Sequence, residues 1–281
     1  MEYLKKAIGA SEQADSDVSK AVQSMLARID HEGEATVREF AAQFDDWSGD
    51  FILSDEKRAS LISEVPSQVR SDIEFAHRQI QGFAQAQRAS LSEFELAPVD
   101  GVVLGQRIVP VQCAGCYVPG GRYSHAASAL MSVATAKVAE VPMIIACSPP
   151  HNGRINPAIA YAMDLAGADV ILEMGGVHAV ASLAKGLFTG TPADMVVGPG
   201  NAYVAEAKRL LFGEVGIDVF AGPTESAVIA DKDADPFTIA VDLVSQAEHG
   251  VNSPVWLFTT SREVGKRVIE LMPQLAADLP T

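Results

Sequence analysis

This sequence has few basic residues relative to its acidic residues. Its 281 residues include 21 lysines and arginines against 36 aspartates and glutamates, a formal net charge of -15. No stretch concentrates lysine and arginine with interleaved aromatic residues, as a nucleic-acid surface would. We therefore expect no nucleic-acid partner. An anionic ligand would need local cations and backbone N–H groups, because the overall field of the protein is negative.

Long hydrophobic runs are also missing. Residues 1–13 contain no apolar core of signal-peptide length, and no segment reaches the roughly 18 to 20 apolar residues of a membrane span. These absences predict a cytoplasmic protein without a membrane partner.

Cysteine is scarce, with three in the chain. Cys113 and Cys116 form one C-x-x-C, but the second pair that a structural zinc site needs is absent. We expect both to be small buried residues around a strand, with redox or metal chemistry as the alternative.

The first third of the chain has helical periodicity. From Ser16 to about Ala89, apolar residues recur at three- and four-residue steps, and Pro66 opens the longest predicted helix. The predicted inward face of that helix consists of Val69, Ile73, Ala76, Ile80 and Phe83. Between Phe94 and Val111 the period shortens to two, and Asp100-Gly101 predicts a hairpin turn.

From Cys116 onward, short apolar strands alternate with helical segments, which is typical of a parallel α/β fold. The predicted strands are Gly115–Val118, Met143–Cys147, Asp169–Leu172, Met195–Val197, Ala227–Ala230 and Val255–Thr259. We predict an α/β protein with two Rossmann-like parallel-sheet domains, the first of them incomplete, and an N-terminal helical segment. The predicted bounds are 1–30 for the helical segment, 31–112 plus 232–281 for the first domain, and 113–231 for the second.

Glycine-containing turns follow several of these strands. They are Gly120-Gly121, Gly175-Gly176, Gly198-Pro199-Gly200 and Gly222-Pro223. In a parallel sheet, ligands bind at the carboxyl edge, where helix N-termini present N–H groups to anions, so we expect the ligand cleft there. None of the turns is a dinucleotide fingerprint, because the third glycine of G-x-G-x-x-G is absent. Taken singly, each is more often a structural turn.

Two polar groups of residues are candidate ligand sites. Gln246 and His249 stand three residues apart at a predicted helix end, so they could share a zinc ion, although glutamine is an unusual zinc ligand. The alternative is a polar helix terminus capped by Gly250. Arg122 and His125 follow the Gly120-Gly121 turn and suit an anionic substrate, unless they belong to an ordinary capped helix start.

Five motifs occur together in an order that resembles the histidinol dehydrogenase family. They are Tyr117–Gly121, Val197–Asn201, Val215–Asp218, Ala221–Glu225 and Ser245–Gly250. The resemblance extends from about Gly33 to the end of the chain. It implies a zinc enzyme, active as a homodimer, that oxidises a primary alcohol to a carboxylate in two NAD-dependent steps.

The resemblance also assigns site residues. Gln246 and His249 match two of the family's four zinc ligands and contact the substrate. Tyr117 and Asn201 match cofactor contacts. Thr224 matches a substrate-contacting position that is usually serine in histidinol dehydrogenases.

Two departures from the family pattern qualify these assignments. His178 stands at a cofactor position where glutamine is common in the family. The remaining zinc ligands and the glutamate–histidine acid/base pair of the family are expected beyond Thr281. Because catalytic zinc normally keeps three or more protein ligands, we expect the 281-residue chain alone to be inactive. A non-catalytic, truncated nucleotide-binding remnant is the alternative.

The expected substrate is a small anionic alcohol. Histidinol is cationic, so its pocket should avoid a nearby arginine, whereas a sulfonate needs cations and N–H donors. Gly121–His125, with Ala221–Thr224 and Asn252–Trp256, is similar to the sulfopropanediol 3-dehydrogenase branch. We therefore expect oxidation of 2,3-dihydroxypropane-1-sulfonate to sulfolactate, with histidinol to histidine as the alternative.

Overall fold

The computed structural model describes residues 2–6, 12–120, 125–220, 224–248 and 253–277. Packing divides the chain into two compact units. The larger unit is Val18–Phe220, and the smaller combines Met1–Asp17 with Ala221–Thr281. Each unit has its own hydrophobic core.

The predicted helical opening is confirmed. Its helices are α1 (Glu12–Glu32), α2 (Glu34–Phe44), α3 (Asp55–Ser63) and α4 (Ser67–Ala89). Gly33 separates α1 from α2 with a φ of 64°, a conformation that glycine adopts without strain. Pro66 immediately precedes α4, where its fixed φ suits the start of a helix.

The predicted inward face of α4 is partly wrong. Ile73 is buried as expected, but Phe83 is 69% exposed and Val69 is also exposed. Ala84 is buried instead of Phe83. Successive helical residues are rotated by about 100° from one another, so the apolar stripe passes through Ala84 and leaves Phe83 on the outer side.

A two-stranded antiparallel hairpin follows, as predicted. It consists of β1 (Phe94–Val99) and β2 (Val102–Gln106). Gly101 has a φ of 81° and supplies the left-handed conformation of the turn.

The centre of the larger unit is a five-stranded parallel sheet. Its strands are β3 (Cys113–Tyr117), β4 (Met143–Ser148), β5 (Val170–Glu173), β6 (Met195–Val197) and β7 (Gly216–Ile217), in the order β5-β4-β3-β6-β7. The helices between them are α5 (Ala126–Ala129), which continues through a π-helical stretch (Leu130–Ala134) into α6 (Thr135–Val138), then α7 (Pro157–Ala166), α8 (Gly176–Lys185) and α9 (Ala202–Leu211). The predicted α/β fold is confirmed.

Helices cover both faces of this sheet. One core joins α1 and α2 to α8 and α9, and the other joins α3 and α4 to α6 and α7. The strand β3 is buried along its whole length, as expected for a strand covered on both faces.

The cysteines are buried thiols, as predicted. Cys113 and Cys116 lie in β3 and neither forms a disulfide. Burial raises the pKa of Cys113 to about 11 and that of Cys116 to about 12. Both thiols therefore remain protonated at neutral pH, which makes them poor nucleophiles.

The smaller unit contains a parallel strand pair with two helices. Its elements are β8 (Ser226–Ala230), α10 (Pro236–Ala247), β9 (Val255–Thr259) and α11 (Arg262–Ala277). Their core includes Ile239, Leu243 and Val268. Within the described ranges of the chain, no helix has both the length and the apolar character needed to cross a membrane.

The bounds of the two units differ from the predicted domain bounds. Residues 31–112 group with the parallel sheet rather than with 232–281, because α2, α3 and α4 pack against helices of the sheet. The discontinuous first domain stays a prediction.

Leu183→Ala should destabilise the larger unit. Leu183 is 1% exposed on α8, and the absence of a side chain at Gly115 lets its Cβ approach β3 closely. Removing the side chain leaves a cavity, so the free energy of unfolding in urea should fall by about 3 kcal/mol. Leu91→Ala is the matched control, because Leu91 is 56% exposed and should change stability by less than about 0.5 kcal/mol. Equal losses in the two variants would contradict this description of the core.

Candidate functional site

The strand order reverses between β3 and β6, and we refer to the carboxyl edge of the sheet at this reversal as the crevice. The chain runs from β3 outward through β4 to β5, then returns to the other side of β3 with β6. Ligands of open parallel sheets bind outside the carboxyl ends of the strands at such a reversal. Tyr117 ends β3 at this point, and the turn that begins at Gly198 follows β6.

Tyr117 connects two of the turns at this edge. Its side chain is buried, and its hydroxyl oxygen accepts a hydrogen bond from the Gly176 N–H at 3.2 Å. Burial raises the pKa of this hydroxyl well above its usual range, so it stays protonated at neutral pH. Tyr117 therefore contributes a neutral hydroxyl to the edge of the crevice.

The turn at Gly198 packs directly on the backbone of Tyr117. Gly198 has a φ of 120°, and a Cβ there would lie 2.0 Å from the Tyr117 carbonyl oxygen. The Gly198 N–H donates to Asp218 Oδ2 at 2.8 Å, and its carbonyl accepts from Lys208 Nζ at 2.9 Å. Lys208 also forms an ion pair with Asp218. Only glycine fits this position, and both of its backbone polar groups are bound.

Asn201 lies at the other end of the same turn, as the N-cap of α9. Its Oδ1 accepts hydrogen bonds from the N–H groups of Tyr203 and Val204, at 3.0 and 3.1 Å. The residue is exposed. Its oxygen is therefore committed to the helix, and the NH2 of the carboxamide is the part that can donate to a ligand.

His178 is buried beneath the turn between β5 and α8. It is 1% exposed, and its Nε2 lies 2.9 Å from Asp45 Oδ2, at the C-terminal end of α2. The same oxygen accepts the Gly175 N–H at 2.9 Å. A carboxylate can only accept, so Nε2 carries the proton in this pair. In the structure, His178 shares the Asp45 carboxylate with the Gly175 N–H of the turn. The cofactor contact proposed for His178 stays a prediction.

Some of the N–H groups at the starts of α8 and α9 are bound by side chains of the protein itself. At α8, Asp45 and Tyr117 accept the N–H groups of Gly175 and Gly176. At α9, the Asn201 side chain accepts the N–H groups of Tyr203 and Val204. The unsatisfied N–H groups of a helix start are readily bound by the protein's own side chains, which then compete with an anionic ligand.

The other glycines at this edge allow close packing between turns. A Cβ at Gly120 would lie 2.9 Å from Pro149 Cγ, and one at Gly175 would lie 2.5 Å from Pro149 Cβ. The close packing that a structural role requires is therefore present at Gly120 and at Gly175. The Gly222-Pro223 turn lies outside the described residues.

The predicted anion-binding stretch is described only in part. Arg122 lies outside the described residues. His125 is half-buried and directly precedes α5, which begins at Ala126.

Two of the remaining site residues meet in the smaller unit. Gln246 Nε2 donates to the Thr224 carbonyl oxygen at 3.2 Å. The helix α10 ends at Ala247. His249 lies outside the described residues. Within the part of the chain that the structure describes, no three histidine, cysteine, aspartate or glutamate side chains form a metal-binding group.

The sequence analysis missed three residues that support the crevice: Asp45, Lys208 and Asp218. Asp218 ends a recognised motif, but its partner Gly198 lies 20 residues away. Asp45 lies 133 residues from His178 in the sequence. No local pattern signals contacts of this kind.

Comparison with known proteins places these observations in a family. Residues 9–281 match the histidinol dehydrogenase family. The chain is 52% identical over 281 residues to the sulfopropanediol 3-dehydrogenase of Ruegeria pomeroyi, covering 100% of this chain and 65% of that protein. It is 54% identical over 278 residues to a histidinol dehydrogenase homolog of the same organism, covering 99% of this chain and 64% of that protein. The chain thus spans just under two thirds of the length of these relatives.

The fold agrees with this assignment. A crystal structure of histidinol dehydrogenase from Elizabethkingia anophelis superposes with a TM-score of 0.83 at 29% sequence identity, covering 97% of this chain and 66% of that one. The five motifs, the parallel sheet and the match over nearly the whole sequence agree, and the chain belongs to the histidinol dehydrogenase family.

Proposed function

We propose that the full-length protein is an NAD-dependent dehydrogenase that oxidises the primary alcohol of 2,3-dihydroxypropane-1-sulfonate to the carboxylate of sulfolactate. The observation that carries this proposal is the 52% identity, over the whole chain, to a protein named sulfopropanediol 3-dehydrogenase. The crevice between β3 and β6 supports it, because this is where a parallel α/β sheet binds a nucleotide. Assembly as a homodimer remains a prediction from the family resemblance.

Tyr117 and Asn201 are the proposed cofactor contacts in this crevice. Tyr117 ends β3, Asn201 precedes α9 three residues after Gly198, and the Gly198 turn contacts the Tyr117 backbone. The exposed carboxamide of Asn201 can donate to a ribose or phosphate oxygen. Tyr117 would act from a buried position, by holding the Gly176 turn and bounding the pocket.

Gln246 and His249 are the proposed zinc ligands in this chain. The Gln246 amide donates to the Thr224 carbonyl through Nε2, which leaves its carbonyl Oε1 as the atom that suits a cation. The contact also holds Thr224, the proposed substrate residue, beside Gln246. When bound, zinc would polarise the substrate hydroxyl. Two NAD molecules would each accept one hydride in turn, and water would supply the second carboxylate oxygen by hydrating the aldehyde between the two steps.

Arg122 and His125 are the proposed binding residues for the sulfonate. The protein carries a net charge of -15, so it repels an anionic substrate at long range. Recognition must therefore come from a local cation, and a guanidinium binds sulfonate oxygens through two parallel hydrogen bonds.

The substrate assignment predicts a selective effect of Arg122→Met. In the full-length protein with dihydroxypropanesulfonate, the KM should rise by about tenfold to a hundredfold, as expected for the loss of charge-assisted hydrogen bonds. The measurement is NAD reduction followed at 340 nm. Arg154→Met is the control, because Arg154 is an exposed arginine in an ion pair with Glu64.

The parent protein must also turn over dihydroxypropanesulfonate. Turnover of histidinol alone would reject the substrate assignment, and turnover of neither compound would favour a non-catalytic role. An unchanged KM in Arg122→Met would remove Arg122 from the proposed site.

Tyr117→Phe should weaken cofactor binding in the full-length protein. The variant leaves the Gly176 N–H without its acceptor, which should loosen the turn at the edge of the crevice. We expect the dissociation constant of NADH, measured by fluorescence titration, to rise by about threefold to tenfold. The matched control is Tyr161→Phe, which removes a hydroxyl that donates to Glu74 Oε1 at 2.7 Å, between α7 and α4. A shift of the same size in both variants would argue against a role for Tyr117 in the crevice.

Gln246→Ala should lower zinc affinity in the full-length protein. Loss of one ligand from a four-ligand site should weaken binding by on the order of tenfold or more, as measured by competition with a chromogenic chelator. Gln274→Ala is the control, because the Gln274 side chain also donates to a backbone carbonyl, that of Glu270 at 3.1 Å. Equal zinc affinity in Gln246→Ala and the parent would remove Gln246 from the ligand set.

A further inference from the structure

Lys208 is an unusual residue in the larger unit because it is a buried lysine. It lies near the end of α9 and is 4% exposed. Burying an ammonium group is costly unless its charge and its N–H donors are satisfied. Lys208 meets both requirements with two partners, the Asp218 carboxylate and the Gly198 carbonyl oxygen.

Asp218 binds both Gly198 and Lys208. It directly follows β7, next to the end of β6, and its Oδ2 accepts the Gly198 N–H at 2.8 Å. Its Oδ1 also accepts the Val219 N–H at 2.7 Å. Gly198 is thus held through both of its backbone polar groups by two side chains that are themselves paired.

The contacts of Lys208 and Asp218 fix the backbone of Gly198, which packs on the end of β3. Gly198 has a positive φ and lies against the Tyr117 carbonyl oxygen, closer than any side chain would allow. Three residues later, Asn201 starts α9. A shift of the turn would therefore move Asn201 and uncover the backbone of Tyr117.

We infer that Lys208 and Asp218 are positioning residues for nucleotide binding, which hold the Gly198 turn so that Asn201 and Tyr117 bound one crevice. This inference rests on the proposed function, since it takes the ligand to be NAD. Neither side chain needs to touch the cofactor, because both act on it through the backbone of the turn.

A second lysine in the same unit, Lys185, allows a positioning role of Lys208 to be distinguished from a purely stabilising ion pair. Lys185, at the end of α8, pairs with Asp30 and Glu214 at 2.6 and 3.0 Å. These partners are carboxylates on the surface, and none of these contacts holds the backbone of a turn at the carboxyl edge. Lys185 is therefore a matched control with the same charge, a similar number of partners and a different position.

The test compares Lys208→Met with Lys185→Met in the full-length protein. Methionine keeps the aliphatic length of lysine and removes its charge and donors. For Lys208→Met, the dissociation constant of NADH should rise by about tenfold, because a turn displaced by an ångström loses its ligand geometry. In steady-state assays the KM for NAD should rise more than kcat falls. Lys185→Met should bind NADH within about twofold of the parent, as expected for a solvent-exposed ion pair.

Asp218→Asn is the second variant, in case Lys208→Met does not fold. Asparagine keeps an acceptor for the Gly198 N–H and removes the charge that pairs with Lys208. We expect weaker NADH binding in Asp218→Asn, and weaker still in Asp218→Ala, which holds neither partner. The graded loss is a signature that a purely stabilising role would not produce.

The outcomes separate this inference from the proposed function. If the parent protein does not bind NADH, the proposed function fails and the inference fails with it. If the parent binds NADH and the folded Lys208 and Asp218 variants bind it equally well, the inference is overturned and the proposed function stands. A lower melting temperature of these variants with an unchanged NADH dissociation constant would also overturn the inference, because the two residues would then only stabilise the fold.

Discussion

The close approach of Gly198 to the carbonyl oxygen of Tyr117 is the contact on which the crevice depends. It brings the turn after β6 against the end of β3, where the order of the strands reverses. A side chain at Gly198 would force the two apart, and any movement of the turn would displace Asn201. Lys208 and Asp218 hold the turn in place, so the ligand-facing edge depends on groups buried behind it.

Hydrogen bonds to a carboxylate also connect the N-terminal helices to the carboxyl edge of the parallel sheet. Asp45 follows α2 and accepts both the Gly175 N–H and the His178 ring proton. Tyr117 accepts the next N–H, at Gly176, so the first two N–H groups at the start of α8 are bound by the protein itself. These two groups hold the turn before α8 and are not open to an anion.

The charge of the protein gives the proposed chemistry a further constraint. In a protein with a net charge of -15, binding of the proposed anionic substrate needs a cation close to it. The charge of Lys208 is neutralised by Asp218, so this lysine does not serve that purpose. The proposal gives the role to Arg122 and His125, so the lysine proposed to shape the crevice and the arginine proposed to bind the sulfonate are different residues.

The sequence by itself determined the elements, the parallel α/β class and the family, because periodicity, turn residues and ordered motifs are local properties. The helices up to Ala89, the hairpin at Asp100-Gly101 and the strands from β3 to β9 were predictable in this way, except β7 (Gly216–Ile217), which is too short to show a pattern. Only the tertiary structure decided which residues support the crevice. Asp45 and His178 are joined across 133 positions, and Lys208 meets Gly198 only because α9 folds back beside β6. Hydrogen bonds between distant segments depend on how helices pack on the sheet, and no sequence period records that packing.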